Sequence, residues 1–141
     1  MNREFPSQGI VTIAGAQESA VMGIAYLVIT GTLAGTLLGS GLGKLRHNPH
    51  IVKVIHEVIG VPFQYFPLLA ACEFAGALGL AFGIRWPALG VAASIGLVVY
   101  FLGAVAAHLR VGDVKGIGPA AFLLALSAAV LTLRILTHQT A

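Results

Sequence analysis

The chain has 141 residues, of which 57% are hydrophobic and only 9% charged, with a mean hydropathy of +0.93. Soluble domains carry charge on about a quarter of their residues, so this composition excludes a soluble enzyme, a disordered chain and a conventional nucleic-acid binder, and points to a membrane protein. The formal charge of +3 fits loop residues facing anionic headgroups better than a nucleic-acid footprint, because no basic patch interleaves with aromatics.

A polar segment of about 18 residues precedes the first apolar run. That run is longer than a signal-peptide core and follows Glu4 and Glu18, so a retained span is expected rather than a cleaved leader. A bilayer core needs about 20 apolar residues per helix, and four stretches meet that length, at about 20–42, 65–84, 87–109 and 117–136. None shows the in-out alternation of barrel strands. The expected fold class is therefore all-α, an integral membrane four-helix bundle forming a single domain over residues 1–141. Pro67, Pro87 and Pro119 are each expected in the first turn of a span, where a missing N–H does no harm. Gly83-Ile84-Arg85-Trp86-Pro87 reads as a tight hairpin, with Arg85 and Trp86 at headgroup level.

Gly31, Gly35, Gly39 and Gly43 recur every four residues in the first span and form one helix stripe; Ala75, Gly79 and Gly83 form a similar stripe in the second. Small residues let helices approach closely in lipid. Intramolecular packing is the first expectation for these stripes, and homodimerisation the second.

Between the first two spans, Ile51, Val54, Ile55 and Val58 recur at helical spacing. A short amphipathic helix is expected at about 49–60, ended by Gly60 and Pro62. It is too short to cross the bilayer, so it should lie at the interface or cap the bundle. With four spans, Lys44, Arg46, Lys53, Arg110 and Lys115 share one side against Arg3, Arg85 and Arg134 on the other. The positive-inside rule then puts connections 1–2 and 3–4 in the cytoplasm.

Ionisable groups within a span are costly and are candidate functional groups. Glu73 lies about 12 Å into the second span counted from Tyr65, among small neighbours such as Ala70, Gly76 and Ala77. Antiparallel geometry brings the start of this span, the end of the first and the end of the third to one membrane face. Lys44 and His108 are thus on Glu73's side, with Arg110 and Asp113 following and Tyr100 within reach. The expected constellation is Lys44, Glu73, Tyr100, His108 and Arg110; Arg134 approaches the opposite face. Two readings compete: an ion pair that only fixes helix register, or a pocket for a polar headgroup.

Other polar residues carry weaker signals. His47, His50 and His56 lack an established ligand spacing, so no metal site is expected. Cys72 is the only cysteine, which excludes an internal disulfide. A lone Cys in an apolar span is expected to pack. Tyr26, Thr30, Thr32 and Thr36 are expected to form hydrogen bonds between helices rather than to line a pore.

The chain resembles the DoxX-like small membrane proteins from about Gly23 to Leu136. The likeness rests on Gly41-Leu42-Gly43-Lys44-Leu45, on Gly60-Val61-Pro62, on Glu73 followed by Gly76-Ala77-Leu78-Gly79-Leu80, and on His108-Leu109-Arg110 leading to Gly112-Asp113. It implies a multi-pass bundle, with a bacterial inner membrane as the expected location, and it carries Lys44, Glu73 and His108 over as characteristic polar positions. Roles associated with the family range from quinone-linked sulfur oxidation and oxidative-stress complexes to membrane-protein assembly, and fold does not decide among them.

The chain has no Cys pair, no haem-ligand His pair at matched depth and no nucleotide motif. A redox role would need a partner or a bound quinone or lipid, since no intrinsic cofactor is expected; whether any reaction is catalysed stays open. Three hypotheses follow. The first is a subunit of a redox assembly that binds a quinone or similar amphiphile, with Glu73 and His108 hydrogen-bonding its head and relaying protons and Lys44 setting their charge. The second is a non-enzymatic assembly module, homo-oligomeric or docked to a larger membrane complex. The third is a small-solute transporter, ranked last because no inverted repeat or broken midplane helix is evident.

Overall fold

The structure, a computed structural model, describes residues 7–139. Arg3, counted in the charge asymmetry, and Glu4 lie outside the described residues. Among the described residues there are five α-helices, α1 (Ser7–Leu45), α2 (Pro49–Val52), α3 (Phe66–Gly83), α4 (Pro87–Arg110) and α5 (Val114–Gln139), with a 3-10 turn at Phe63–Tyr65 leading into α3. The described residues contain no strand, and α1, α3, α4 and α5 are each long and apolar enough to cross a membrane.

These four helices close a ring, with α1 packed on α3 and α5, and α4 packed on the same two. The core they share is thin: Leu33 and Leu37 from α1, Ala77 and Leu80 from α3, Leu97 and Phe101 from α4, and Val130 from α5. Large apolar side chains such as Ile24, Val28, Val99, Leu102 and Phe122 face outward. That arrangement is stable only where the surroundings are apolar too, as in a bilayer.

The first helix departs from expectation. The segment expected as a polar tail is helical from Ser7, and at 39 residues α1 is about 58 Å long, nearly twice the hydrocarbon thickness. Nothing after Pro6 breaks the hydrogen-bond ladder, so it continues through Gln17, Glu18 and Ser19. Residues 12–21 are nonetheless exposed on every side, and packing begins at Met22, close to the expected start of the span.

At its other end α1 stops abruptly. The His47 amide donates to the Lys44 carbonyl at 3.2 Å and the Asn48 amide to the Gly43 carbonyl at 2.9 Å. These two bonds form a Schellman motif, with His47 left-handed at φ 51° where glycine is the usual residue. The Asn48 side chain then accepts from the His50 amide at 3.0 Å and starts α2. From Lys53 to Val58 the segment continues as a π-helical turn, and Gly60, at φ 85°, ends it.

The α3–α4 hairpin forms at Gly83–Pro87 as expected, and its closeness comes from glycine on both sides. The Gly83 Cα and carbonyl oxygen each lie 3.2 Å from where a Cβ on Gly90 would stand. Arg134 of α5 donates to the freed Gly83 carbonyl at 2.6 Å, capping the C-terminus of α3 with a cation, and its guanidinium lies 5.2 Å from the Tyr26 ring.

The fourth span begins earlier than expected, at Val114, so Pro119 lies inside α5 rather than in its first turn. Asp113 accounts for the shift. Its Oδ1 accepts the Gly116 amide at 3.2 Å, an N-cap bond from three residues back that starts the helix at Val114.

The glycine stripes divide. Gly79 packs on Ala93, Gly83 on Gly90 and Gly43 on the Ile51 side chain, but a Cβ on Gly31, Gly35 or Gly39 would meet nothing within 4 Å among the described residues. The glycine of α1 that packs on α3 is Gly41, set against the Phe74 ring. Even spacing defined a face correctly; the neighbour that α1 meets lies on a different face. Two further expectations are corrected. Thr32 and Thr36 donate to carbonyls one turn back in α1, the nearest acceptors available to a helical threonine. The hydroxyls of Tyr26 and Thr30 are buried without a partner. Cys72, expected to pack, is exposed on the outer face of α3.

Candidate functional site

Glu73 sits two turns into α3 with 2% exposure, and Lys44, in the last turn of α1, with 4%. The Lys44 Nζ donates to both carboxylate oxygens of Glu73 at 2.8 Å each, and to the Ser40 hydroxyl at 2.8 Å. Ser40 in turn donates to Glu73 Oε1 at 3.1 Å, and the Tyr100 hydroxyl of α4 donates to the same oxygen at 3.3 Å. Three helices are thus tied at one buried point. Removing two charges from water costs several kcal/mol each, an expense offset only by close geometry and fully used hydrogen bonds, and this node has both.

His108, near the end of α4, does not reach Glu73. Its Nδ1 is bonded to Asp113 Oδ2 at 2.9 Å, so Asp113 caps α5 with one oxygen and orients the imidazole with the other. A Cβ on Gly116 would run into both the imidazole and the carboxylate, so the dyad is seated directly on the first turn of α5.

Between the node and the dyad lies a cavity of about 770 Å³. Ser40, Lys44, Glu73, Tyr100, His108 and Asp113 line one wall, and Phe101, Ala104, Pro119, Ala120 and Leu123 form the apolar wall beside it. The opposite wall is the α2 segment, through Ile51, Val54, Ile55, Val58 and Ile59. No residue of that segment is fully buried: Ile51 rests on Gly43 of α1, and Val54, Ile55 and Ile59, half-buried, line the cavity with it.

Of the five residues expected to gather, four line this cavity, and Lys44, Glu73 and Tyr100 bond directly. Arg110 is not among them: it is exposed at the end of α4, turned away from the node. Two positions before it, His108 takes the inward position. Two contributors were missed. Ser40 stands four residues before Lys44, the spacing that puts both on one helix face, and Asp113 occupies an N-cap position ahead of an apolar run. His47 stacks on Phe66 at 5.9 Å and His56 Nδ1 bonds the Val61 carbonyl oxygen at 2.9 Å, so these histidines serve the connection that covers the cavity.

Four apolar helices around a buried ion pair define an integral, multi-pass membrane protein. A family model, that of the DoxX-like family, matches residues 28–130, and the chain belongs to that family. The matched stretch contains Lys44, Glu73, Tyr100, His108 and Asp113. No curated protein and no solved structure matches the chain.

Proposed function

We propose that the cavity binds a membrane-soluble amphiphile, a quinone or a molecule of similar shape, as part of a redox-associated membrane assembly. One observation carries this reading: the amphipathic segment turns five apolar side chains toward a space whose far wall holds Glu73, Tyr100 and His108. Apolar surface left against open space favours an apolar occupant, and the polar wall offers hydrogen bonds to a head. The chain supplies no electron carrier of its own, so electrons would come from a partner or stay on the ligand. In this reading the cavity side faces the cytoplasm of a bacterial inner membrane. Arg46, Lys53, Arg110 and Lys115 all lie there and are exposed, whereas Lys44 is spent on Glu73.

A second reading has its own support. Gly31, Gly35 and Gly39 form a helix face that the chain itself does not use, as an assembly module or homo-oligomer would require.

Native mass spectrometry of the gently extracted protein tests both. Ala104→Trp fills the cavity and leaves the ion pair intact. A bound small amphiphile in the wild type that is lost from A104W is the expected result. A partner or second copy retained in both, with no small molecule in either, would end the cavity reading in favour of assembly.

A further inference from the structure

The hydrogen-bond inventory of the polar wall constrains what kind of head the cavity accepts, granted the amphiphile reading above. An ammonium has three N–H donors, and Lys44 directs all three at Ser40, Glu73 Oε1 and Glu73 Oε2. The Ser40 proton points at Glu73. A carboxylate can only accept, so the Tyr100 proton is also committed to it. Asp113 accepts the Gly116 amide through Oδ1 and faces the imidazole with Oδ2, as a carboxylate with two accepting oxygens does. Nδ1 of His108 therefore supplies the proton of the His108–Asp113 bond, and in a neutral imidazole so held Nε2 is an acceptor, with no partner among the described residues.

Every donor on the buried wall is thus spent. The capacity that remains is accepting: Glu73 Oε2, the Tyr100 oxygen and His108 Nε2. His50, Lys53 and Lys115 are donors too, but they stand exposed at the rim, where water satisfies them.

We propose that this cavity selects amphiphiles whose head donates hydrogen bonds, alcohols and phenols, over those whose head only accepts, ketones and carboxylates, so that of a quinone couple it holds the reduced, hydroquinone form. A hydroxyl meets a lone pair at each open position. A carbonyl in the same place meets lone pairs only, and loses its hydration without replacement.

Three probes of matched shape test the selection: decylhydroquinone, decylbenzoquinone and decylhydroquinone dimethyl ether. Binding is measured by calorimetry in detergent micelles under anaerobic conditions, at about pH 8, where imidazole is ordinarily neutral. The hydroquinone should bind about tenfold more tightly than either other probe, the weight of one well-made hydrogen bond to a charged or strongly polar acceptor.

Asp113→Asn gives a readout that a merely structural role would not move. Asparagine is an equally good N-cap, so α5 should still start at Val114 and the protein should still fold. With its oxygen on the Gly116 amide, the new NH2 group faces Nδ1 and drives the imidazole proton to Nε2, which then donates into the cavity. D113N should therefore lose the preference for the hydroquinone or reverse it. If all three probes bind wild type alike, the selection is overturned while the amphiphile cavity stands. If none binds, the amphiphile reading itself fails. A tenfold preference unchanged in D113N would overturn the part assigned to His108.

Discussion

Lys44→Met should destabilise the protein by about 3–5 kcal/mol, the loss observed when one member of a buried ion pair is removed and the other is left behind. The magnitude follows from where the charges sit. Glu73 is 2% exposed, and without Lys44 its carboxylate would keep only the Ser40 and Tyr100 hydroxyls, both on Oε1, while Oε2 would face the cavity unpaired. The double variant K44M/E73M should recover most of the loss, because apolar side chains of similar volume remove both desolvation costs at once. Stability is read from denaturant-induced loss of helicity in micelles, comparing both single variants with the double. Equal destabilisation in the double and in K44M would mean that side-chain packing, not charge pairing, dominates at this point. The same series separates fold from ligand: a double variant that is stable yet empty in native mass spectrometry would assign the node a direct part in binding.

The sequence made the spans of α3 and α4 legible to within a residue or so, because an apolar run of bilayer length has few alternative fates. It made the Lys44–Glu73 neighbourhood legible for a geometric reason, since antiparallel spans put the end of α1 and the start of α3 at one face. The partner of His108 was harder to read. Glu73 and Asp113 are both carboxylates at that face, and the choice depends on α5 starting at Val114, which an Asp N-cap decides and an apolar window does not. The exposed Arg110 shows the same limit, because it stands two positions after His108 and a helix turns about 100° per residue. The cavity left no mark on the sequence at all. It arises because the α2 segment bridges the gap between helix ends without filling it, and periodicity says which side chains face inward, not how far away the next atom is.

Glycine is where spacing and packing part most clearly, and a pair of substitutions should show it. Gly83→Val should cost about 3 kcal/mol or more, beyond the usual range for an overpacked core site, because a Cβ there would collide with the Cα and N of Gly90, and backbone cannot rotate away. Forcing α3 and α4 apart would also shift the Gly83 carbonyl from Arg134, so the cap on α3 is lost with the contact. Gly35→Ala, on the more regular stripe, should change the stability of the single chain by about 1 kcal/mol at most, in the stabilising direction, since alanine favours helix and nothing lies within 4 Å of the new methyl. Unfolding of the monomeric protein in micelles measures both. A G83V variant as stable as wild type would refute the close approach of α3 and α4. If G35A weakens association between copies at unchanged monomer stability, the unused face of α1 is an interface, and its four-residue glycine spacing answers to a second chain rather than to α3 or α5.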